Sequence, residues 1–266
     1  MTRPVHQLDR YEDIRAALAN PDLEPELPAS ADGPVGASMA WLRATVSRFS
    51  SGQAHTRRRA LVEAELARLD PTQLRQAAAP QPRATVDEVR IQVVRSLAEA
   101  LRLSKPDIVA KAITAVADVY FGGVDPVADA AVAQLVDLLS ARSRGENELE
   151  AAAARICLLV QACDATAALV RHTRAAATTT GVGTQPIEVQ LAETLRRDPP
   201  VRTLRRIAVC DTRIGGRDIA EGDLVLLDTT ASVAGNVAEP LAFGAPPRIC
   251  PGREQALALA SGILMQ

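Results

Sequence analysis

Glu146 to Ala177 is an Ala- and Leu-rich run that reads as one helix, and its length constrains the fold more than any other feature of the chain. At about 1.5 Å of rise per residue, such a helix crosses a whole domain and must find partners along its length. Helical patterns fill most of the sequence around it. Tyr11 to Ala19 predicts a short helix, and Asn20 to Gly36 a loop rich in Pro, Glu, Asp and Gly. Ser38 to Arg48 places Met39, Leu42 and Val46 at helical spacing around Trp41. Gln53 to Leu69 predicts a helix that starts after Ser51-Gly52 and is broken by Pro71. Thr85 to Ala100 and Pro106 to Val119 predict two more, the second capped by Ser104 and ended by Gly122-Gly123. Pro126 to Ala141 precedes the long helix. Thr178 to Pro186 reads as a loop whose Gly181 and Gly183 follow no strand, so the GxG is a plain turn rather than a phosphate cradle. Ile187 to Arg197 returns to helix.

The pattern then changes. Arg206 to Thr230 carries Ile-Ala-Val, Gly215-Gly216, Glu221-Gly222 and Leu-Val-Leu-Leu, which predict two or three short strands joined by tight turns. Glu254 to Leu264 closes with Leu257, Ala260 and Leu264 at helical spacing. The expectation is one mainly α domain over residues 1–266 with a small β-sheet near its C-terminus.

Charge and cysteine content exclude several functions. A formal net charge of -2 gives no global field that would attract nucleic acid. The first ten residues include Arg3, His6, Asp9 and Arg10 and hold no apolar signal core, and no run of about 18 uninterrupted apolar residues predicts a membrane span. A cytoplasmic location is expected. Cys157, Cys163, Cys210 and Cys250 lack CxxC spacing, against a zinc knuckle or a redox pair. Three of them read as ordinary buried thiols. Cys250 differs, because Phe243-Gly244-Ala245-Pro246-Pro247-Arg248-Ile249-Cys250-Pro251-Gly252 is a proline-stiffened loop that presents it just before a helix. Helix N-terminal amides and a nearby guanidinium favour the thiolate, which is the form that ligates metal.

This loop resembles the heme-binding loop of the cytochrome P450 family, FxxGx(H/R)xCxG, through Phe243, Arg248, Cys250 and Gly252, with Pro246 where the family has its middle glycine. Upstream, Glu193 and Arg196 match the family's ExxR, a pair able to share one helix face. A lone ExxR is usually solvated surface charge, but here it precedes the turn-rich strands in the family's order. His55 and Arg59 resemble the family's HxxxR, and with Arg206 and Arg248 they would give heme b four propionate partners. Leu158 to Ala167 resembles the oxygen-binding segment of the family's long helix. Asp164 keeps the acid, while Ala165 stands where the family has a threonine. That acid-alcohol pair delivers protons during dioxygen activation, and Thr166 projects about 100° away around the helix.

The resemblance runs from about Val5 to Leu264, with deletions. Val119 to Glu146 is too short for the helices that roof the substrate pocket, Ala177 to Pro186 shortens another helical region, Asn236 to Leu241 omits most of the meander, and the leading strands and final sheet are expected to be missing. What the resemblance implies is a heme-thiolate protein acting on a small molecule by non-standard chemistry: rearrangement, dehydration, cyclisation or peroxide use. A conventional monooxygenase with a ferredoxin-type electron donor and a non-catalytic relative that activates a partner enzyme are the alternatives. Loss of the roof implies bare apolar faces on the long helix, and hence a homodimer or a partner protein.

Overall fold

The computed structural model describes residues 3–27, 32–78, 84–140, 145–180, 184–231 and 240–265. Gly181, Gly183 and residues 236–239, where most of the meander is expected to be omitted, lie outside the described residues. The chain divides into two compact units, Met1–Glu26 with Ala175–Cys250, and Leu27–Arg174 with Pro251–Gln266.

The first unit is built on a sheet. Its strands are β1 (Val5–Leu8), β2 (Leu23–Pro25), β3 (Thr203–Ala208) and β6 (Leu224–Asp228), in the order β1-β6-β3-β2. β1 runs parallel to β6, with Val5 opposite Leu224, and the other two pairings are antiparallel. The leading strands expected to be missing are therefore present in reduced form. At four and three residues, β1 and β2 are too short to carry a readable alternation, and their pairing with β6 and β3 makes them strands. β4 (Thr212–Ile214) and β5 (Arg217–Ile219) form a separate hairpin whose two-residue turn puts Gly215 and Gly216 at positive φ. Asp223 accepts from the Ala220 amide at 3.0 Å and pairs with His6 Nε2 at 2.8 Å, which ties the start of β6 to β1. α1 (Tyr11–Ala19) covers the sheet with Ile14 and Leu18, and α9 (Ile187–Arg197) precedes β3.

Helices make the second unit: α2 (Met39–Thr45), α3 (Gly52–Leu66), α4 (Pro71–Ala77), α5 (Val86–Ala100), α6 (Pro106–Asp118), α7 (Pro126–Leu139), most of α8 (Glu146–Thr180) and α10 (Arg253–Leu264). Local chemistry sets their starts. Ser38 accepts from the Trp41 amide at 3.1 Å, Asp125 from Val127 at 2.8 Å, and Thr85 with Glu88 forms a capping box. Pro71, read as a breaker, opens α4 at its first position with Asp70 as cap, since a first-turn residue has no intrahelical partner for its amide. Ser104 does not cap α6: the residue before that helix is Lys105, in the left-handed conformation at φ 54° and without a side-chain cap.

α8 is the core helix. By length and composition its apolar stretch could cross a bilayer, but 67% of that window is buried inside the protein. The bare apolar face expected on α8 is not found, because no large apolar side chain of α8 is exposed among the described residues. Phe121, Val124 and Val127, around the α6–α7 connection, are exposed instead. Ion pairs fasten α8 to α3. Glu150 accepts two hydrogen bonds from Arg57, at 2.9 and 2.8 Å, and one from Arg58 at 2.8 Å, while Arg155 donates to Glu65 at 2.8 Å.

The Arg57 and Arg58 hydrogen bonds hold the Glu150 carboxyl at about 2, below its ordinary 4.5. A depressed carboxyl contributes its full stabilisation above the ordinary value and loses it as pH falls toward the folded one. Acid unfolding monitored by circular dichroism should therefore set in between these values, and Glu150→Gln should lower stability at pH 7 by about 1 kcal/mol while flattening that dependence. Where α10 crosses the end of α4, a Cβ on Gly262 would stand 2.2 Å from the Arg75 carbonyl oxygen. Gly262→Ala should cost roughly 1–3 kcal/mol in chemical denaturation, the cost of overpacking against backbone that cannot yield.

Candidate functional site

Cys250 is positioned by the core of the first unit. A short 3₁₀ turn, Leu241–Phe243, starts the loop, and Leu241 and Ala245 are buried in the same cluster as Leu8, Val225 and Leu227 of the sheet. Between them Gly244 takes φ +70°, a conformation that side-chain-bearing residues rarely adopt. The Gly244 amide donates to Leu241 at 2.8 Å, Arg248 to Ala245 at 3.2 Å and Cys250 to Phe243 at 2.8 Å. Pro246-Pro247, joined by a cis peptide, occupies the exposed crest. The loop is thus anchored by apolar burial and closed by backbone hydrogen bonds, and it leaves Cys250 exposed, three residues before the start of α10.

The other expected residues of this unit sit on regular elements. Arg206 lies on β3 opposite Val225 and is buried, with its guanidinium donating to the Arg205 carbonyl at 2.9 Å. Glu193 and Arg196 meet on α9 through two hydrogen bonds of 3.0 and 2.8 Å, and Arg197 joins the same carboxylate. The Arg196 hydrogen bonds hold the Glu193 carboxyl below its ordinary range.

In the second unit, His55 and Arg59 are partly buried four residues apart on α3, and Arg59 donates to Glu63 at 2.6 Å. Gly252 has an ordinary negative φ, and a Cβ there would meet Leu66 at 3.8 Å, so neither backbone nor space in this unit demands glycine. On α8, Asp164 lies 2.7 Å from Arg90 Nε, and the same guanidinium reaches Asp118 at 2.6 Å and Asp87 at 3.4 Å. Arg171, two turns further along α8, is not the partner of Asp164. Arg171 instead lies 2.9 Å from the His172 ring, and Arg90 on α5 makes the ion pair. Burial works against the Arg90 charge, but Asp118 and Asp164 outweigh it and raise its pKa.

Asp164, Ala168 and Arg171 share one face of α8 and line a cleft of about 530 Å³ with α5 residues and the end of α6. Ala165 is partly exposed beside them. Thr166 faces the interior at 2% exposure, and its hydroxyl has no hydrogen-bond partner among the described residues. The hydroxyl nearest in sequence to the Asp164 carboxylate is therefore turned away from it. Cys163, next to the acid, is buried, and burial pushes its thiol up to about 12.

The donor chemistry suits a particular kind of metal group. Among the described residues no group of three or more His, Cys, Asp or Glu could hold a bare metal ion. A single exposed thiol on a fixed loop suits a metal that brings its own equatorial donors, as a porphyrin does, and arginines suit its carboxylates.

No protein-family model matches the chain, and no curated protein matches it in sequence. Solved structures do. The ligand-free structure of CYP164A2 from Mycobacterium smegmatis matches with a TM-score of 0.72 at 19% identity, over 98% of this chain and 82% of that one. P450 RauA, complexed with a biosynthetic intermediate of aurachin RE, matches with a TM-score of 0.69 at 21% identity, over 97% and 82%. A structure from a study of unusual cytochrome P450-like monooxygenases involved in microbial secondary metabolism matches with a TM-score of 0.69 at 15% identity, over 96% and 82%. At 266 residues, this chain has the fold of the cytochrome P450s in a shortened form.

Proposed function

We propose that this chain is a heme-thiolate enzyme that transforms a small molecule in secondary metabolism, with Cys250 as the ligand to the iron of heme b. The P450 fold together with the anchored Cys250 loop carries this reading. His55, Arg59, Arg206 and Arg248 would hold the two propionates, Phe243 and Gly252 would flank the thiolate, and Glu193 with Arg196 would brace the frame. When bound, the heme supplies a thiolate-ligated iron able to activate an oxidant or polarise a substrate.

The chain's own residues favour chemistry other than standard oxygen insertion. A proton relay needs a hydroxyl beside the acid, and Ala165 offers none. Thr166 keeps its hydroxyl on the buried side of α8, and the Asp164 carboxylate is engaged in an ion pair with Arg90. We therefore assign rearrangement, dehydration, cyclisation or peroxide-driven chemistry. The likeness to P450-like monooxygenases supports the second reading, a monooxygenase fed by a ferredoxin-type donor.

Purified protein supplied with heme should bind one equivalent by pyridine-hemochrome assay, and Cys250→Ala should lose the spectroscopic signature of thiolate ligation. A colourless protein under those conditions would remove the heme assignment and leave a partner-activating role. Turnover should proceed without reductase and NAD(P)H, and Ala165→Thr should gain less than about tenfold, against the roughly 10²–10⁴ that a positioned proton-transfer group contributes. Strict dependence on reductase, NAD(P)H and dioxygen, with large stimulation by Ala165→Thr, would establish the monooxygenase reading instead.

A further inference from the structure

The connection between α6 and α7 is apolar and exposed, yet its backbone is held in place. Phe121, Val124 and Val127 are between 63% and 84% exposed. The Phe121 ring stands edge-on to Tyr120, with centres 5.2 Å apart, and to Phe49 at 6.1 Å. Arg43 on α2 donates to the carbonyls of Val119, of Tyr120 at 3.1 Å and of Gly123 at 3.0 Å, which fixes the backbone on both sides of Phe121. Single exposed apolar side chains are ordinary on a protein surface, but a strip of them marks an interaction surface. An aromatic ring already fixed by its neighbours also loses little freedom when a partner packs on it.

The strip runs into the cleft between α5, α6 and α8, because Phe121 also lines that cleft, where Val86 and Ala168 add apolar surface. The charges of the cleft are unevenly presented. Arg90 is 15% exposed, whereas its partners Asp87, Asp118 and Asp164 are each more than half exposed. The other guanidinium, on Arg171, lies about 10 Å along α8 from Asp164 and beside the His172 ring. What Asp87 and Asp118 present to solvent is therefore acidic.

We propose that this cleft and its apolar lip dock a basic amphipathic helix of a partner protein. A large apolar side chain of that helix seats on Phe121, and its lysine or arginine side chains face Asp87 and Asp118. Charge selects this occupant over two others. A second copy docked face to face would set these carboxylates against their own kind, and they would repel an anionic membrane surface, whereas cations on a partner complement them. The walls select a helix. α5, α6 and α8 pair their backbone groups internally and offer no strand edge for an extended segment to join, while the apolar stripe of a helix fits a groove between helices. The inference goes beyond the proposed function, rests on the second unit alone and holds whether or not the chain binds heme.

Fluorescence-anisotropy titration of the full chain tests it with a labelled amphipathic peptide of about 18 residues, leucine on one face and lysine on the other, and with its glutamate counterpart. The lysine peptide should bind about tenfold more tightly than the glutamate one, and Asp87→Asn with Asp118→Asn should remove most of that preference and of its salt dependence. Asp9→Asn with Glu12→Gln, the same change of charge in the first unit, should leave both unchanged. Phe121→Ala should weaken the lysine peptide about tenfold. Val124→Ser, at an exposed position where folding is not at stake, should weaken it as well. No binding of the lysine peptide, equal affinity for the two peptides, affinity unmoved by Phe121→Ala and Val124→Ser, or an equal loss in the first-unit pair would each overturn the assignment. So would a dimer in sedimentation that Phe121→Ala dissolves, or binding to phosphatidylglycerol vesicles that Phe121→Ala abolishes, since the strip would then belong to a second copy or to a lipid surface.

Discussion

Close packing around α8 depends on small side chains, and small side chains define position poorly. Ala152, Ala153 and Cys163 are fully covered, beside Ile156, Leu159 and Val170. An alanine-rich surface lets neighbouring helices approach, yet it offers few knobs to fix the register along the axis. Charged side chains at the margin of the helix supply what the core does not. Glu150 and Arg155 fasten it to α3, and Asp164 fastens it to α5. A slide by one turn would break all three contacts at once. Apolar burial makes α8 stable, and the ion pairs decide where it rests.

How much of this was legible in the sequence depends on the range of the interaction behind each feature. α1 and α9 have the bounds that periodicity predicts, because their apolar stripes and flanking turn residues are local. Pro71 was ambiguous by nature, since the ring that excludes it from a helix interior also suits it to a helix start. β1 and β2 were invisible, because short strands at either end of a sheet acquire their identity from partners more than a hundred residues away.

The same division holds for the candidate site. The Cys250 loop and the Glu193-Arg196 pair are written in contiguous residues, and both could be found by reading along the chain. Ala165 was legible as a missing hydroxyl. That Thr166 projects about 100° away from Ala165 followed from helix geometry, but that its hydroxyl is buried and lacks a partner among the described residues did not. Among thirty lysines and arginines, nothing in the order of residues marks Arg90 as the partner of Asp164.

Arg43 carries one more consequence. The orphan carbonyls at the end of a helix are often satisfied by a left-handed glycine and its following amides, a device encoded within the helix's own sequence. Here a side chain from α2 satisfies the residues that follow α6. Those carbonyls gain their side-chain partner only when α2 packs beside them, so this turn is completed by tertiary contact rather than by the helix's own sequence. The partner that completes it lies more than sixty residues earlier in the chain, so no reading of the residues around the end of α6 could have found it.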